Sequence, residues 1–274
     1  MRVTMFLAAL LAVLAAPVPA HELWIEPDDY TVDAGTPVTA RIVNGQNFDG
    51  IELRFFPKDF VRFSLSLGET EQPVTGRIGD SPALNMAALG EGLHIATFQS
   101  SGDLVGYTDL EKFGLFVDHK DLSASLGTDV LERHVERKLP EADFSEYYTR
   151  YSKALIGVGN ATGADRRMGL ETELVALTNP YTDDLADGMK VQLFWNDGPR
   201  ADAQIEYFAK APDGTVTVTM HRTDAEGIVS LPVRAGFSYL VDAVILREPV
   251  GAASKDPGVA WESLWAALTF AVPE

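Results

Sequence analysis

The chain has 274 residues, which is enough for one large domain or two of ordinary size. Apolar residues make up 46% of it and charged residues 23%, so a disordered, collagen-like or coiled-coil protein is excluded. Forty acidic residues against 22 basic ones give a formal net charge of −18, which opposes binding to nucleic acids and anionic lipid surfaces. The absence of cysteine excludes disulfides, thiolate metal sites and cysteine nucleophiles.

Residues 1–20 have the features of a secretory signal peptide. Arg2 precedes a short apolar run, and Val18 and Ala20 place small residues at −3 and −1 of a cut after Ala20. The run is shorter than the roughly 20 residues that span a bilayer, and no later stretch reaches that length. We therefore expect an exported protein of the bacterial periplasm, with no membrane insertion of the mature chain.

Short apolar runs separated by turn residues predict strands in two parts of the chain. In residues 21–120 the runs are 23–25, 38–43, 51–56, 61–67, 93–98 and 104–107. In residues 164–274 they are 170–177, 189–195, 205–209, 216–220, 228–233, 239–246 and 264–272. Asp213-Gly214 is typical of a hairpin turn. The sequence therefore predicts a mainly β protein with two immunoglobulin-like or transthyretin-like sandwiches.

A helical bridge and linker are predicted between these domains, in residues 121–163, because the apolar spacing changes there from two residues to 3.6. The first helix is indicated by Val130, Leu131, Val135 and Leu139. The second is indicated by Phe144, Tyr147, Tyr148, Tyr151 and Leu155. Asp143 and Glu146 have the spacing of a capping box at the start of the second helix. Together the helices are expected to span 122–157.

Cleavage after Ala20 would leave His21 as the first residue, with a free α-amine beside its imidazole. The two groups form one chelate, and their reference pKa values, roughly 7.7–8.0 and 6.5, make both available near neutral pH. Nitrogen ligands of this kind favour nickel, cobalt or copper over magnesium or calcium. A histidine at this position is equally compatible with an ordinary surface residue.

Further metal ligands have to come from elsewhere in the chain. His94 is the first candidate, because strand alternation points its side chain away from those of its apolar neighbours. Glu22 is a candidate carboxylate ligand, although the same alternation directs it away from the side chain of His21. For the remaining histidines we expect a solvated loop at His119, a partly buried helical position at His134 and a strand end at His221.

The sequence contains none of the common catalytic motifs, such as a nucleophile elbow, a phosphate loop or His-Glu-x-x-His. We therefore expect no enzymatic activity. A group of aromatic residues fits core packing but is also compatible with a glycan-binding face. These residues are Trp24, Tyr147, Tyr148, Tyr151, Trp261 and Trp265.

Five stretches together resemble a known family. They are 21–27 (His-Glu-Leu-Trp-Ile-Glu-Pro), 147–157 with its Arg150-Tyr-Ser-Lys153 centre, 170–181, 223–227 and 261–270. The chain is similar to the exported bacterial DUF4198 proteins, which are grouped with the periplasmic component of cobalt and nickel uptake systems and are related to NikM-like proteins. The resemblance implies a periplasmic β-sandwich protein in which His21 and Glu22 take part in divalent metal binding.

Residues 246–249, Leu-Arg-Glu-Pro, depart from that family, because relatives commonly have a histidine there. The departure argues against a site of many histidines. The turn at 223–227 also resembles turns of transthyretin-like and carboxypeptidase-regulatory-like domains, which are binding or structural modules.

The leading hypothesis is a periplasmic accessory protein that binds nickel or cobalt, with copper as a further possibility, through His21, Glu22 and His94. It would pass the ion to a membrane metal transporter. The alternative is a β-sandwich interaction module that binds a partner protein or a glycan and no metal. A third hypothesis is an oxidative copper enzyme with an N-terminal histidine brace, which requires a second histidine such as His94.

Overall fold

The computed structural model describes residues 21–274, so the predicted signal peptide lies outside the described residues. The described chain is mainly β, as predicted. Its strands are β1 (Glu22–Pro27), β2 (Thr31–Val32), β3 (Pro37–Gln46), β4 (Asp49–Leu53), β5 (Phe60–Leu67), β6 (Thr70–Pro73), β7 (Leu84–Ala87), β8 (Gly92–Ser100), β9 (Asp103–Tyr107), β10 (Phe144–Val158), β11 (Thr172–Ala176), β12 (Met189–Trp195), β13 (Gly198–Pro199), β14 (Gln204–Lys210), β15 (Val216–Arg222), β16 (Ile228–Leu231), β17 (Ser238–Arg247) and β18 (Val259–Ala271).

The helices are α1 (Leu110–His119), α2 (Leu122–Leu126) and α3 (Val130–Glu136), and 3-10 turns span Pro57–Asp59 and Ala253–Lys255. Within residues 21–274, no helix has the length and apolar character needed to cross a bilayer. Asp109 is the N-cap of α1, and its carboxylate accepts a hydrogen bond from the Lys112 N–H at 2.9 Å.

A ten-stranded sheet forms the middle layer of the molecule and contains strands from both halves of the chain. Its order is β15-β14-β17-β18-β10-β8-β5-β6, and β2 and β9 pair with opposite ends of β10. One of its faces packs on a four-stranded sheet of β1, β3, β4 and β7, and the other on a four-stranded sheet of β11, β12, β13 and β16. The predicted boundaries at 121 and 163 therefore do not separate two sandwiches, because β10 joins both halves.

Residues of β10 alternate between two hydrophobic cores. Tyr151 and Leu155 belong to the core shared with β11, β12 and β16. Ala154 and Ile156 belong to the core shared with β1, β3 and β7. Both faces of the strand are therefore covered, and every residue from 149 to 158 is buried. The three helices pack against the remaining part of the sheet, where α1 contacts Trp261 and other residues of β18.

The helix predicted over residues 144–155 is wrong, because these residues form the 15-residue strand β10. A strand covered on both faces carries apolar side chains on both and loses the alternation of a half-exposed strand. Its aromatic residues fall by chance at helical spacing. Asp143 does not cap a helix; it lies in a left-handed turn, with φ of 56°, directly before β10. Glu146, the other member of the predicted capping box, is buried within the strand.

Other local predictions are confirmed. The first predicted helix corresponds to α3. Asp213-Gly214 lies in the turn between the antiparallel strands β14 and β15, and Gly214 has φ of 85° there. Most predicted strands in both halves are present within a few residues of their expected bounds. These segments could be predicted because their apolar spacing and turn residues are signals carried by residues close together in the sequence.

Lys153, at the centre of β10, holds the segment before β11 against the sheet. Its Nζ lies 2.8 Å from Asp165 Oδ1 and 3.2 Å from Glu173 Oε1. It also donates hydrogen bonds to the carbonyl oxygens of Arg166 at 3.0 Å and Leu174 at 3.1 Å. All three charged side chains are buried. Removal of the ammonium would leave two buried carboxylates without their shared counterion.

Lys153→Met is expected to lower the free energy of unfolding by about 3–5 kcal/mol, because a buried ion pair is broken on one side only. Urea denaturation of the two proteins measures the difference. Lys190→Met, at an exposed position of β12, is the matched control and should change stability by less than about 0.5 kcal/mol. Equal losses in the two variants would contradict a structural role for Lys153.

Candidate functional site

A cavity of about 290 Å³ lies where β9, β10, β18 and α1 meet beside the start of β1. Its volume is near the lower end of the range for small-molecule pockets, roughly 300–1,000 Å³. The lining combines charged, aromatic and aliphatic side chains. The polar and aromatic ones include His21, Tyr107, Glu146, Tyr148, Arg150 and Trp265.

The ammonium group of Lys120 holds three carboxylates together next to this cavity. Its Nζ lies 3.2 Å from Glu22 Oε1 and 3.2 Å from Asp242 Oδ2, and it donates a third hydrogen bond to Glu206. The carboxylates come from β1, β17 and β14, and Lys120 directly follows α1. Nζ also lies 4.8 Å from the ring centroid of Trp265 in the cavity wall. All four charged side chains are buried.

The three carboxylates resemble a metal site, because one oxygen of each lies within 4.8 Å of the others. In the described chain, however, the Lys120 ammonium already makes contact with all three, as a bound cation would. Glu22 Oε2 and Asp242 Oδ1 remain buried without a hydrogen-bond partner. The cluster is therefore best described as a buried ion-pair network with an internal cation.

The pKa values of the groups in this network are shifted in different directions. Burial raises the pKa of Glu22 to about 7, although Lys120 opposes the shift. Burial also disfavours the charge of Glu206, but hydrogen bonds from His119 and Lys120 outweigh it and lower the pKa. The attraction of the carboxylates outweighs burial at Lys120 and raises its pKa. Lys120 and Glu206 therefore stay charged at neutral pH, whereas Glu22 takes up a proton as the pH falls through about 7.

Glu146 is a buried carboxyl group that lies outside the Lys120 network and lines the cavity itself. It accepts a hydrogen bond from the Tyr107 hydroxyl at 2.7 Å and another from the Ser263 hydroxyl. Ser263 in turn accepts from Trp265 Nε1 at 2.8 Å. Burial raises the pKa of Glu146 to about 7 against the effect of these hydrogen bonds. The network fixes one wall of the cavity and places a carboxyl group there that titrates near neutral pH.

Arg150 contacts two aromatic rings in the same wall. Its guanidinium carbon lies 4.1 Å from the ring centroid of Trp265 and 4.9 Å from that of Tyr148. The residue is 7% exposed, and its Nη1 is buried without a hydrogen-bond partner. A guanidinium keeps its charge in proteins, so this group is a buried cation on the cavity wall.

Of the predicted metal ligands, His21 is exposed and lines the cavity directly before β1. Glu22 is buried, and its carboxylate belongs to the Lys120 network. His94 is buried in β8, where Nε2 accepts from the Leu89 N–H at 3.0 Å and Nδ1 contacts the Gly92 carbonyl oxygen at 3.2 Å. His94 is not among the residues that line the cavity with His21. The described residues thus do not bring His21, Glu22 and His94 into one ligand set.

The other histidines have structural contacts. His119 ends α1, half-exposed and not in a loop, and its Nε2 lies 2.8 Å from Glu206 Oε1. His134 is a buried residue of α3, as expected, and its Nδ1 accepts from Trp261 Nε1 at 3.1 Å. His221 lies in β15.

Among the aromatic residues considered for a glycan-binding face, Tyr148 and Trp265 line the cavity. Trp265 stacks on Phe116 with centroids 5.7 Å apart and is also covered by Arg150, so its ring offers no open platform. Tyr147 donates its hydroxyl to the Ser101 carbonyl oxygen. The others are packed in the cores, namely Trp24, Tyr151 and Trp261.

Sequence analysis did not single out Lys120, Glu206 or Asp242. Asp242 and Glu206 are isolated charges within apolar strands, in Tyr-Leu-Val-Asp-Ala-Val-Ile and Ile-Glu-Tyr-Phe. A charged residue in a buried strand requires a partner of opposite charge or a hydrogen bond. This requirement is the sequence feature that could have marked Asp242 and Glu206 as members of a site. Arg150 lies in a stretch that carries the family resemblance, but nothing local distinguished it.

The family profile named "Domain of unknown function (DUF4198)" matches residues 18–247. The chain belongs to the DUF4198 family. Among curated proteins, nothing matches this DUF4198 protein. Three chains of solved structures match it. One is the crystal structure of a tetra-tandem repeat in the extending region of a large adhesion protein, with 11% identity and a TM-score of 0.20. The match covers 92% of the DUF4198 chain and 49% of the other, so this chain spans about half the length of that protein chain.

The raised pKa of Glu146 predicts a change of stability with pH. Because the folded protein holds this proton more tightly than the unfolded chain, the contribution of Glu146 to stability falls as the pH rises from about 4.5 through about 7. Glu146→Gln should remove up to about 3 kcal/mol of the stability difference between pH 5 and pH 8. Urea denaturation at both pH values measures it.

The control for this experiment is Glu141→Gln, at an exposed position before β10. It should keep the pH dependence of the unchanged protein. Glu22 also favours the folded state at low pH, but it is present in all three proteins and cancels in the comparison. An unchanged pH dependence in Glu146→Gln would show that this carboxyl group does not titrate as described.

Proposed function

We propose that this DUF4198 protein is an exported periplasmic accessory protein that binds Ni²⁺ or Co²⁺, with Cu²⁺ as a further possibility, and delivers the ion to a membrane uptake system. The observation that carries the proposal is the position of His21. It directly follows the predicted cleavage site, it is exposed, and it lines the cavity. No catalytic step is part of the proposal.

The chelate consists of the His21 α-amine and imidazole. Both nitrogens are ligands that late transition metals prefer. The residue after His21 begins β1, which pairs antiparallel with β3 and whose Trp24 and Ile25 are fully buried. The chelate would therefore project from a rigid strand. Two protein ligands leave other coordination positions open, which suits an ion that has to be handed on.

Other candidate ligands are excluded from the proposed site by their contacts. The Glu22 carboxylate is paired with Lys120, and both His94 ring nitrogens have backbone partners. The acidic net charge raises the local concentration of divalent cations, but this effect is nonspecific and screened beyond roughly 8 Å at physiological ionic strength. Affinity has to come from the nitrogens of His21.

Calorimetric titration with NiCl₂ tests the proposal on the processed protein, whose N-terminus is first verified by intact mass. One Ni²⁺ per chain should bind. His21→Ala, and a form that carries one extra residue before His21, should each bind at least about tenfold more weakly because a ligand is lost. Binding should also weaken as the pH falls from 8 to 6, where imidazole and amine take up protons.

Two variants serve as controls. His221→Ala removes a partly exposed histidine outside the cavity, and Glu22→Gln removes a carboxylate that the Lys120 network already engages. Both should keep the affinity of the processed protein, provided that circular dichroism shows them folded. Equal affinity in the processed, extended and His21→Ala forms would overturn the His21 site. A mass that places the cleavage elsewhere would do the same.

A further inference from the structure

The wall of the cavity includes a positively charged side chain, Arg150, that takes no part in the proposed metal site. Arg150 is more than nine-tenths buried, lines the cavity and has a buried Nη1 with no hydrogen-bond partner. A buried charged donor of this kind normally has a partner, and leaving it unpaired is costly. An unpaired guanidinium in a cavity wall is therefore suited to bind an anion.

The carboxylates around Arg150 are engaged elsewhere. Glu22 and Asp242 are bonded to Lys120. Glu146 accepts hydrogen bonds from the Tyr107 and Ser263 hydroxyls. In the described chain, no carboxylate oxygen comes within 4.0 Å of a guanidinium nitrogen of Arg150, whereas Glu22 and Asp242 each form an ion pair with Lys120. Arg150 thus lies near carboxylates that act on its charge, but its guanidinium has no direct ion-pair contact.

We propose that the cavity binds a small organic monocarboxylate, whose two oxygens are received by the guanidinium of Arg150. A planar guanidinium matches the two oxygens of a carboxylate, and such charge-assisted bonds are strong. Trp265 and Tyr148 contact the guanidinium and so limit the orientations it can take. This proposal goes beyond metal binding and does not require an ion at His21.

The cavity favours a single charge. The other cationic side chain at its edge is Lys112, whose Nζ donates to Thr108 at 2.8 Å and lies 3.5 Å from Asp109. Arg150 is thus the one cationic side chain among the lining residues without a hydrogen-bond or ion-pair partner, and in a chain of net charge −18 this suits a monoanion better than a multiply charged phosphate.

The rest of the lining favours an apolar body on the ligand. Leu104 and Val105 of β9 line the cavity and are 46% and 37% exposed, so apolar surface of both side chains is accessible to a ligand. An aromatic or aliphatic group joined to the carboxylate would cover these side chains and remove their apolar area from water.

The experiment uses the protein of residues 21–274 in EDTA, with benzoate as the probe. Benzamide has the same shape without the charge, and inorganic phosphate is an anion without the apolar body. Isothermal titration should show benzoate binding at least about tenfold more tightly than benzamide, the factor expected for a charge-assisted hydrogen bond. Phosphate should bind more weakly than benzoate. Equal binding of benzoate and benzamide would overturn the proposal.

Three variants test whether benzoate binds in this cavity. Arg150→Gln should lose the preference for benzoate over benzamide. Since Arg150 is buried, Leu104→Asp supplies a second variant at a half-exposed position. Both probes lose an apolar contact there, but the negative charge should weaken benzoate several-fold more than benzamide. Leu115→Asp is its matched control, because Leu115 is 48% exposed on α1 and does not line the cavity. An equal effect of both aspartates would place benzoate elsewhere.

His21→Ala separates this proposal from the metal site. Because His21 also lines the cavity, the measured quantity is the ratio of the benzoate and benzamide affinities in EDTA, which depends on Arg150 and should stay the same in this variant. If nickel binding fails and the benzoate preference remains, the proposed metal function is wrong and the carboxylate site stands. If nickel binds at His21 but benzoate and benzamide bind equally, the carboxylate site is wrong and the metal site stands.

Discussion

One buried ammonium joins parts of the chain that are far apart in sequence. Lys120 is 98 residues from Glu22, 86 from Glu206 and 122 from Asp242, yet it contacts all three. These contacts fix the end of α1 against β1, β14 and β17. The start of β1 carries His21, and α1 contributes Phe116 and Lys112 to the cavity wall. The position of the candidate site therefore depends on this one ion-pair network.

The strands could be predicted where the sequence carries local signals. Segments such as 189–195 and the Asp213-Gly214 turn were found because their patterning depends on near neighbours. The strand β10 was mistaken for a helix because burial on both faces removes the alternation that distinguishes the two. The shared ten-stranded sheet was missed for the same reason, since β10 is the strand that links the two halves.

Less of the site than of the fold could be predicted. His21 was found from its place after the cleavage signal, and the structure puts it at the cavity. His94 was chosen because strand alternation predicts the side of the strand on which its side chain lies. Alternation does not predict what the side chain contacts, and both ring nitrogens contact backbone groups of Leu89 and Gly92. Glu206, Asp242 and Arg150 depend on contacts between distant segments. The local sequence indicates that these buried charges need partners, but it does not predict which residues those partners are.

The position of β18 has a consequence for how the chain reaches its folded state. This last strand, Val259–Ala271, lies between β17 and β10 in the middle of the sheet and pairs with β10 in parallel. Until it is available, β10 and β17 expose unpaired edges, which are templates for aggregation. Contacts between segments so distant in sequence also form slowly. The edge of β10 that faces β18 thus stays open until the C-terminal residues arrive, although the core between β10 and the sheet of β1, β3, β4 and β7 is built from residues 23–158 alone.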